Sequence, residues 1–93
     1  MDREHEAGKQ GIKLLYADGL LEAMGRSGIQ EAYVRQLLAH AESTSEKLLD
    51  PATGRYIAHL KIGRITCWAV YAPEGDAYRV HNAYMHRMEI VDG

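Results

Sequence analysis

Cys67, with His59, His81 and His86, supplies the side-chain types that nucleophilic, redox or metal chemistry would need in this 93-residue chain. A thiol beside an imidazole base is the pattern of a cysteine nucleophile, and two or three histidines with a thiolate would suit zinc. The spacing supports neither. No ligand pair of the C-x-x-C or H-x-x-x-H kind is present, and strand alternation sends Cys67 to one sheet face and His59 and His81 to the other. Cys67 therefore reads as a small buried hydrophobe, and neither a metal nor a cofactor is expected. Tyr33 and Tyr56 stand near element starts, where tyrosines serve as core-edge residues with a wet hydroxyl.

A second candidate is "GRSG", residues 25–28. If Ser27 caps a helix, with Gln30 completing a capping box, the backbone N–H groups there would face outward beside Arg26. Arg26, Ser27 and Gly28 are then a candidate anion site, although an ordinary helix-hairpin turn uses the same residues.

These residues have to be positioned by few elements. Residues 1–11 mix both charges with two glycines and read as a flexible arm. Apolar positions at helical spacing predict helices over 12–24 and 28–49, the second interrupted by "ESTSE" and stopped by Asp50 before Pro51. After "DPATG" the pattern alternates, predicting strands over 55–62, 65–72 and 77–91. The expected fold is a single α+β domain over 12–93, in which a helical hairpin covers one face of a three-stranded antiparallel meander in the order ααβββ.

A two-residue turn at Gly63 and Arg64 fixes the first hairpin register, pairing Ile62 with Ile65, Leu60 with Cys67, Ala58 with Ala69 and Tyr56 with Tyr71. That face is apolar throughout and should meet the helices. The other carries Ile57, His59 and Lys61 beside Val70, Trp68 and Thr66. Taking "PEGD" as a four-residue loop sets Ala72 opposite Ala77, which places His81 opposite Trp68, Arg79 on the same outer face and Tyr84 opposite Ile65. The expected row is His59, Trp68, His81. Met85 and Arg87 fall on the outer face as well, while Tyr84 and His86 turn inward unless a bulge near Asn82 changes the phase. In that register residues 85–91 overrun the hairpin by about 23 Å at about 3.3 Å per residue. Such an unpaired segment would seek another chain by strand addition.

Composition narrows the function. With 46% hydrophobic residues the chain is enough for one small domain, and its modest burial makes dependence on a partner reasonable. The net charge of −2 argues against a dedicated nucleic-acid binder. A lone cysteine and no apolar leader near Met1 suggest an intracellular, cytoplasmic protein, and no apolar run could span a bilayer. The expectation is therefore a small interaction domain without chemistry of its own, either a homo-oligomer or an accessory subunit of a larger enzyme. Its contacts would come from Ile57, His59, Lys61, Trp68, Val70, Arg79, His81, Met85 and Arg87. The rival is a binding protein or small enzyme that takes an acidic or aromatic ligand between His59, Trp68 and His81.

Overall fold

The computed structural model describes residues 12–87. The arm expected over 1–11 and the strand expected beyond 87 lie outside these residues. Two helices pack on one face of a five-stranded mixed sheet, so the class is α+β, but the sheet is larger than a meander. The elements are β1 Leu14–Tyr16, α1 Leu20–Ser27, α2 Glu31–Thr44, β2 Leu48–Asp50, β3 Arg55–Ile62, β4 Ile65–Glu74 and β5 Ala77–Arg87. Across the sheet the order is β1-β5-β4-β3-β2, with β1 parallel to β5 and every other pair antiparallel.

Both added strands come from stretches expected to be helical. The apolar stripe from Ile12 is cut by Gly19, whose φ of 79° belongs to the left-handed region that a right-handed helix cannot include. Leu14–Tyr16 instead pairs with Tyr78–Val80, and the bonds Tyr78 N–H to Lys13 O (2.9 Å) and Ala17 N–H to Val80 O (3.0 Å) fix it there. Arg35 of α2 donates to the Ile12 carbonyl and ties the strand entry to the helix layer.

The end of α2 is set by "ESTSE". The hydroxyls of Ser43 and Thr44 both donate to the His40 carbonyl, Thr44 Oγ1 accepts from Glu46 N–H, and Ser45 turns left-handed at φ 64°. These short polar side chains compete with the helix ladder and stop it. Leu48–Asp50 is then free to pair with Arg55–Ile57.

The expected capping box at Ser27 is also replaced. Gly28, at φ 77°, donates its N–H to the Gly25 carbonyl (3.3 Å), and Ile29 N–H reaches Met24 O (2.8 Å). This is a helix C-terminal motif, closed by the buried pair Met24 and Ile29. The next helix starts after Gln30, which makes no side-chain cap.

The core lies between sheet and helices. Leu20 and Met24 of α1 and Val34, Leu37, Leu38 and Ala41 of α2 cover Ala58, Cys67, Ala69, Tyr71, Val80 and Ala83. Ala58, Ala69 and Ala83 form one row across three strands, and their small side chains leave room for the leucines above. Among the described residues no helix is long and apolar enough to cross a membrane.

Candidate functional site

The β3–β4 register is the expected one at every pair from Tyr56 with Tyr71 to Ile62 with Ile65. The β4–β5 register is not. β4 runs on to Glu74, and the turn is only Gly75 and Asp76, with Gly75 at φ 65°. Ala72 thus pairs with Arg79 rather than Ala77. Between Tyr71↔Val80 and Val70↔Asn82 the ladder shifts, and His81 is the extra residue of a β-bulge.

That residue reverses the phase of everything after it. Asn82, Tyr84 and His86 take the outer face, while Ala83 and Met85 pack against the core. Tyr84, not His81, stands opposite Trp68, and Arg87 rather than Tyr84 meets Ile65. Residues 85–87 are therefore paired within the chain, and the overhang expected to begin at Met85 does not exist there. The side chain of Arg87 lies outside the described residues.

The outer face consists of three cross-strand rows. Ile57, Val70 and Asn82 form one, His59, Trp68 and Tyr84 the next, and Lys61, Thr66 and His86 the third. At its centre the His59 and Trp68 rings stack with centroids 4.6 Å apart and planes at 27°. Asn82 Nδ2 donates to the Tyr84 hydroxyl at 2.6 Å, and Tyr84 remains 49% exposed. Leu48, paired with Ile57, extends the patch to the sheet edge at 71% exposure. Both helices lie on the opposite side; on this face His59, Lys61, Tyr84 and His86 are exposed and Ile57, Trp68 and Val70 half-buried.

Arg79 keeps to the outer face but is engaged. Its guanidinium donates twice to Glu74, with Nη2 to Oε2 at 3.0 Å, and reaches the Tyr16 carbonyl at 3.4 Å. The Arg79 bond holds the Glu74 carboxyl below its ordinary range. His81 lies toward this end of the sheet: burial and the charges of Arg55 and Arg79 depress its imidazole, against a smaller pull from Glu74. It is separated from the Trp68 row and does not join His59 there.

A groove of about 460 Å³ runs beside that row, lined by Ser45–Leu48, Ile57–His59 and Trp68. Cys67 is fully buried on the core face, where burial raises its thiol pKa and disfavours the thiolate. Arg26, Ser27 and Gly28 close α1 at its C-terminus, so carbonyls rather than N–H groups dominate there. The premise of an anion site at a helix N-terminus does not hold. Among the described residues no group of three or more His, Cys, Asp or Glu gathers as metal ligands would.

One cluster has no counterpart in the sequence reading. Glu42 of α2 accepts from Tyr71 (2.6 Å), Tyr78 (3.2 Å) and Lys47 Nζ (2.6 Å). Lys47 also lies 4.2 Å from the Tyr56 ring centroid, and Tyr71 contacts Tyr56 and Tyr78 at 5.9 and 5.8 Å. Burial pulls the Glu42 carboxyl up. The bonds from Lys47 and Tyr71, the Lys47 charge and the Tyr78 bond pull harder and leave it below the ordinary value. Burial, then the Glu42 bond and charge, drive the Tyr71 hydroxyl well above its usual pKa. With every acceptor engaged, the cluster ties α2 to the sheet. Tyrosines at 56, 71 and 78 on one strand face were the available signal; Glu42 was hidden because helix periodicity does not tell a half-buried acid from an exposed one.

The chain matches no family model, no curated protein and no solved structure.

Proposed function

We propose that this chain is a small protein-interaction domain without chemistry of its own, which assembles through the outer face of its sheet with a second copy. One observation carries the reading: His59, Trp68 and Tyr84 form an aromatic row across three strands, continuous with Ile57, Val70 and Leu48, with both helices on the other side. Contiguous apolar surface of this kind with a polar rim is what interfaces are made of, and Trp and Tyr are the residues that dominate them energetically. Lys61, Asn82 and His86 form part of that rim. Two such faces stacked near −30° would interdigitate their side chains as the halves of a β-sandwich do.

Sedimentation velocity from low to high micromolar concentration tests this. Wild type should self-associate, and Trp68→Ala should shift it toward monomer while keeping its circular dichroism. A wild-type chain that sediments as a compact monomer throughout would overturn assembly between copies. An accessory-subunit role would use the same surface, and capture by a larger subunit that Trp68→Ala abolishes would identify it.

A further inference from the structure

The sheet's outer face is not its one unfinished surface; among the described residues the edge of β3 is open as well. In a hairpin closed by a two-residue turn, the residues flanking the turn exchange both backbone bonds and the alternation follows from there. Ile62, Leu60, Ala58 and Tyr56 therefore bond to β4. Ile57, His59 and Lys61 direct their N–H and C=O groups the other way. Ile57 meets Leu48, the first residue of β2, and beyond it no described strand lies beside His59 or Lys61. Two donors and two acceptors face outward in line with β2.

The opposite edge of the sheet obeys the same alternation but is finished differently. Tyr78 and Val80 direct their outward groups to β1. Past the end of β1, the outward N–H of Ala83 is taken by Asn82 Oδ1 at 2.9 Å, and the bulge at His81 distorts the strand beside it. Both are devices that blunt a sheet edge. The β3 edge has one such device, the charge of Lys61, and that charge excludes some strands while favouring others. Lys61 makes no ion pair among the described residues, whereas Lys13, Lys47 and Arg79 each do.

We infer that the β3 edge at His59–Lys61 receives an extended segment of a partner protein, added in line with β2, with acidic side chains alternating with apolar ones. The backbone groups of His59 and Lys61 supply the ladder bonds. Acidic residues of the added strand lie on the outer face beside Lys61 and His59, and its apolar residues lie beside Ala58, Leu60 and Ile62. The groove bounded by Leu48, His59 and Trp68 is the space at the end of β2 that the segment enters. Lys47 and Glu46 line the same groove but are engaged by Glu42 and His40, which leaves Lys61 as the charge that selects. This mode goes beyond face-to-face assembly, since its ladder bonds use the backbone groups of His59 and Lys61 rather than the aromatic side chains of the outer face.

Amide hydrogen exchange on the full, nitrogen-15-labelled chain tests the inference, with a capped seven-residue peptide alternating valine and glutamate as the probe. In the free chain His59 and Lys61 amides should exchange fast while those of Ala58, Leu60 and Ile62 are protected. Adding the peptide should protect His59 and Lys61. A valine–lysine peptide should bind about tenfold more weakly, the difference between opposite and like charges across a ladder. Lys61→Pro removes an N–H that the β3–β4 ladder does not use, so it should fold and lose the peptide. If it does not fold, Lys61→Glu should reverse the preference between the two peptides. Undiminished binding to folded Lys61→Pro, or equal binding of both peptides, would overturn the inference. So would slow His59 and Lys61 exchange in the free chain, whether constant, meaning an edge already covered, or growing with protein concentration, meaning a second copy on the edge. Loss of self-association in Trp68→Ala leaves these amides unchanged, which separates a failure of the edge from a failure of the face.

Discussion

Tyr71 in β4 donates a 2.6 Å hydrogen bond to Glu42 in α2, joining the largest fully buried side chain of the sheet to a carboxylate that also holds Lys47 and Tyr78. Since Tyr71 pairs with Tyr56 on one side and Val80 on the other, this bond fixes the helix against the middle of three strands.

Removing the Tyr71 hydroxyl tests its weight. Tyr71→Phe should cost about 1–2 kcal/mol in urea unfolding, since it deletes a bond to a charged acceptor without opening a cavity. Glu42→Gln should cost as much or more, because it leaves the Lys47 ammonium without its partner.

The same cluster gives the stability a pH dependence. Glu42 has a folded pKa below its unfolded value of 4.5, so its contribution is complete above pH 4.5 and disappears as pH falls through the folded value. Tyr71 has a folded pKa above its unfolded value of 10.0; its contribution is complete below pH 10.0 and is lost as pH rises through the folded value. Thermal unfolding from pH 3 to 11 should therefore fall at both ends. The acid limb should flatten in Glu42→Gln and the alkaline limb in Tyr71→Phe.

Gly19 and Gly25 should respond to the same substitution with opposite signs. Added Cβ atoms meet nothing within 4 Å at either site. Gly19 carries φ 79° between β1 and α1, so Gly19→Ala should destabilise by about 1–2 kcal/mol. Gly25 lies within α1 without a positive φ, so Gly25→Ala should stabilise by about 0.5–1 kcal/mol. Urea denaturation of both variants measures the contrast.

The bulge can be excised. Without His81, Val80 still faces inward against Tyr71 and Asn82 outward against Val70, so the chain should fold with Tyr84 still opposite Trp68. Nuclear Overhauser contacts between the two rings would report that. Deleting Ala83 can also straighten the ladder, but it puts the Asn82 amide into the buried place beside Ala69. Burying that unpaired group should cost about 1–3 kcal/mol more in chemical denaturation.

His59 and Trp68 should couple weakly in the folded monomer. Their stack lies on an exposed face, so a double-mutant cycle to alanine should return about 0.5 kcal/mol, at the low end for aromatic pairs. Trp68 is the single tryptophan, and its emission should shift to shorter wavelength when the outer face is covered.

The legible parts of this fold were those where one local rule decides. Gly63 and Arg64 form a tight turn between alternating runs, which determined every pair of β3 with β4 and put Trp68, His59 and Ile57 on one face. What escaped depends on partners outside the stretch being read. Leu14–Tyr16 has the spacing of a helix and becomes a strand because β5 offers it a ladder. Leu48–Asp50 does so because Ser43, Thr44 and Ser45 end the helix and β3 offers an edge. The candidate face was half legible: the two-residue turn at Gly75 and Asp76 moved the β5 register by two residues and the extra residue at His81 by one more, which together put Tyr84 rather than His81 beside Trp68, and the bulge turned Met85 inward. Nothing in the types of Val80, His81 and Asn82 marks which of them stands out of the ladder.

β5 is flanked by β1 from the beginning of the described chain and by β4 from just before it. Until β5 has been synthesised, β1 has no ladder to join and the row of alanines under α2 lacks Ala83. The hairpin of β3 and β4 can form early from contacts close in sequence, but the parallel pair must wait for the loop between its strands to close, which is the slow class of contact. On a ribosome, the growing chain would therefore present an incomplete sheet until β5 emerged.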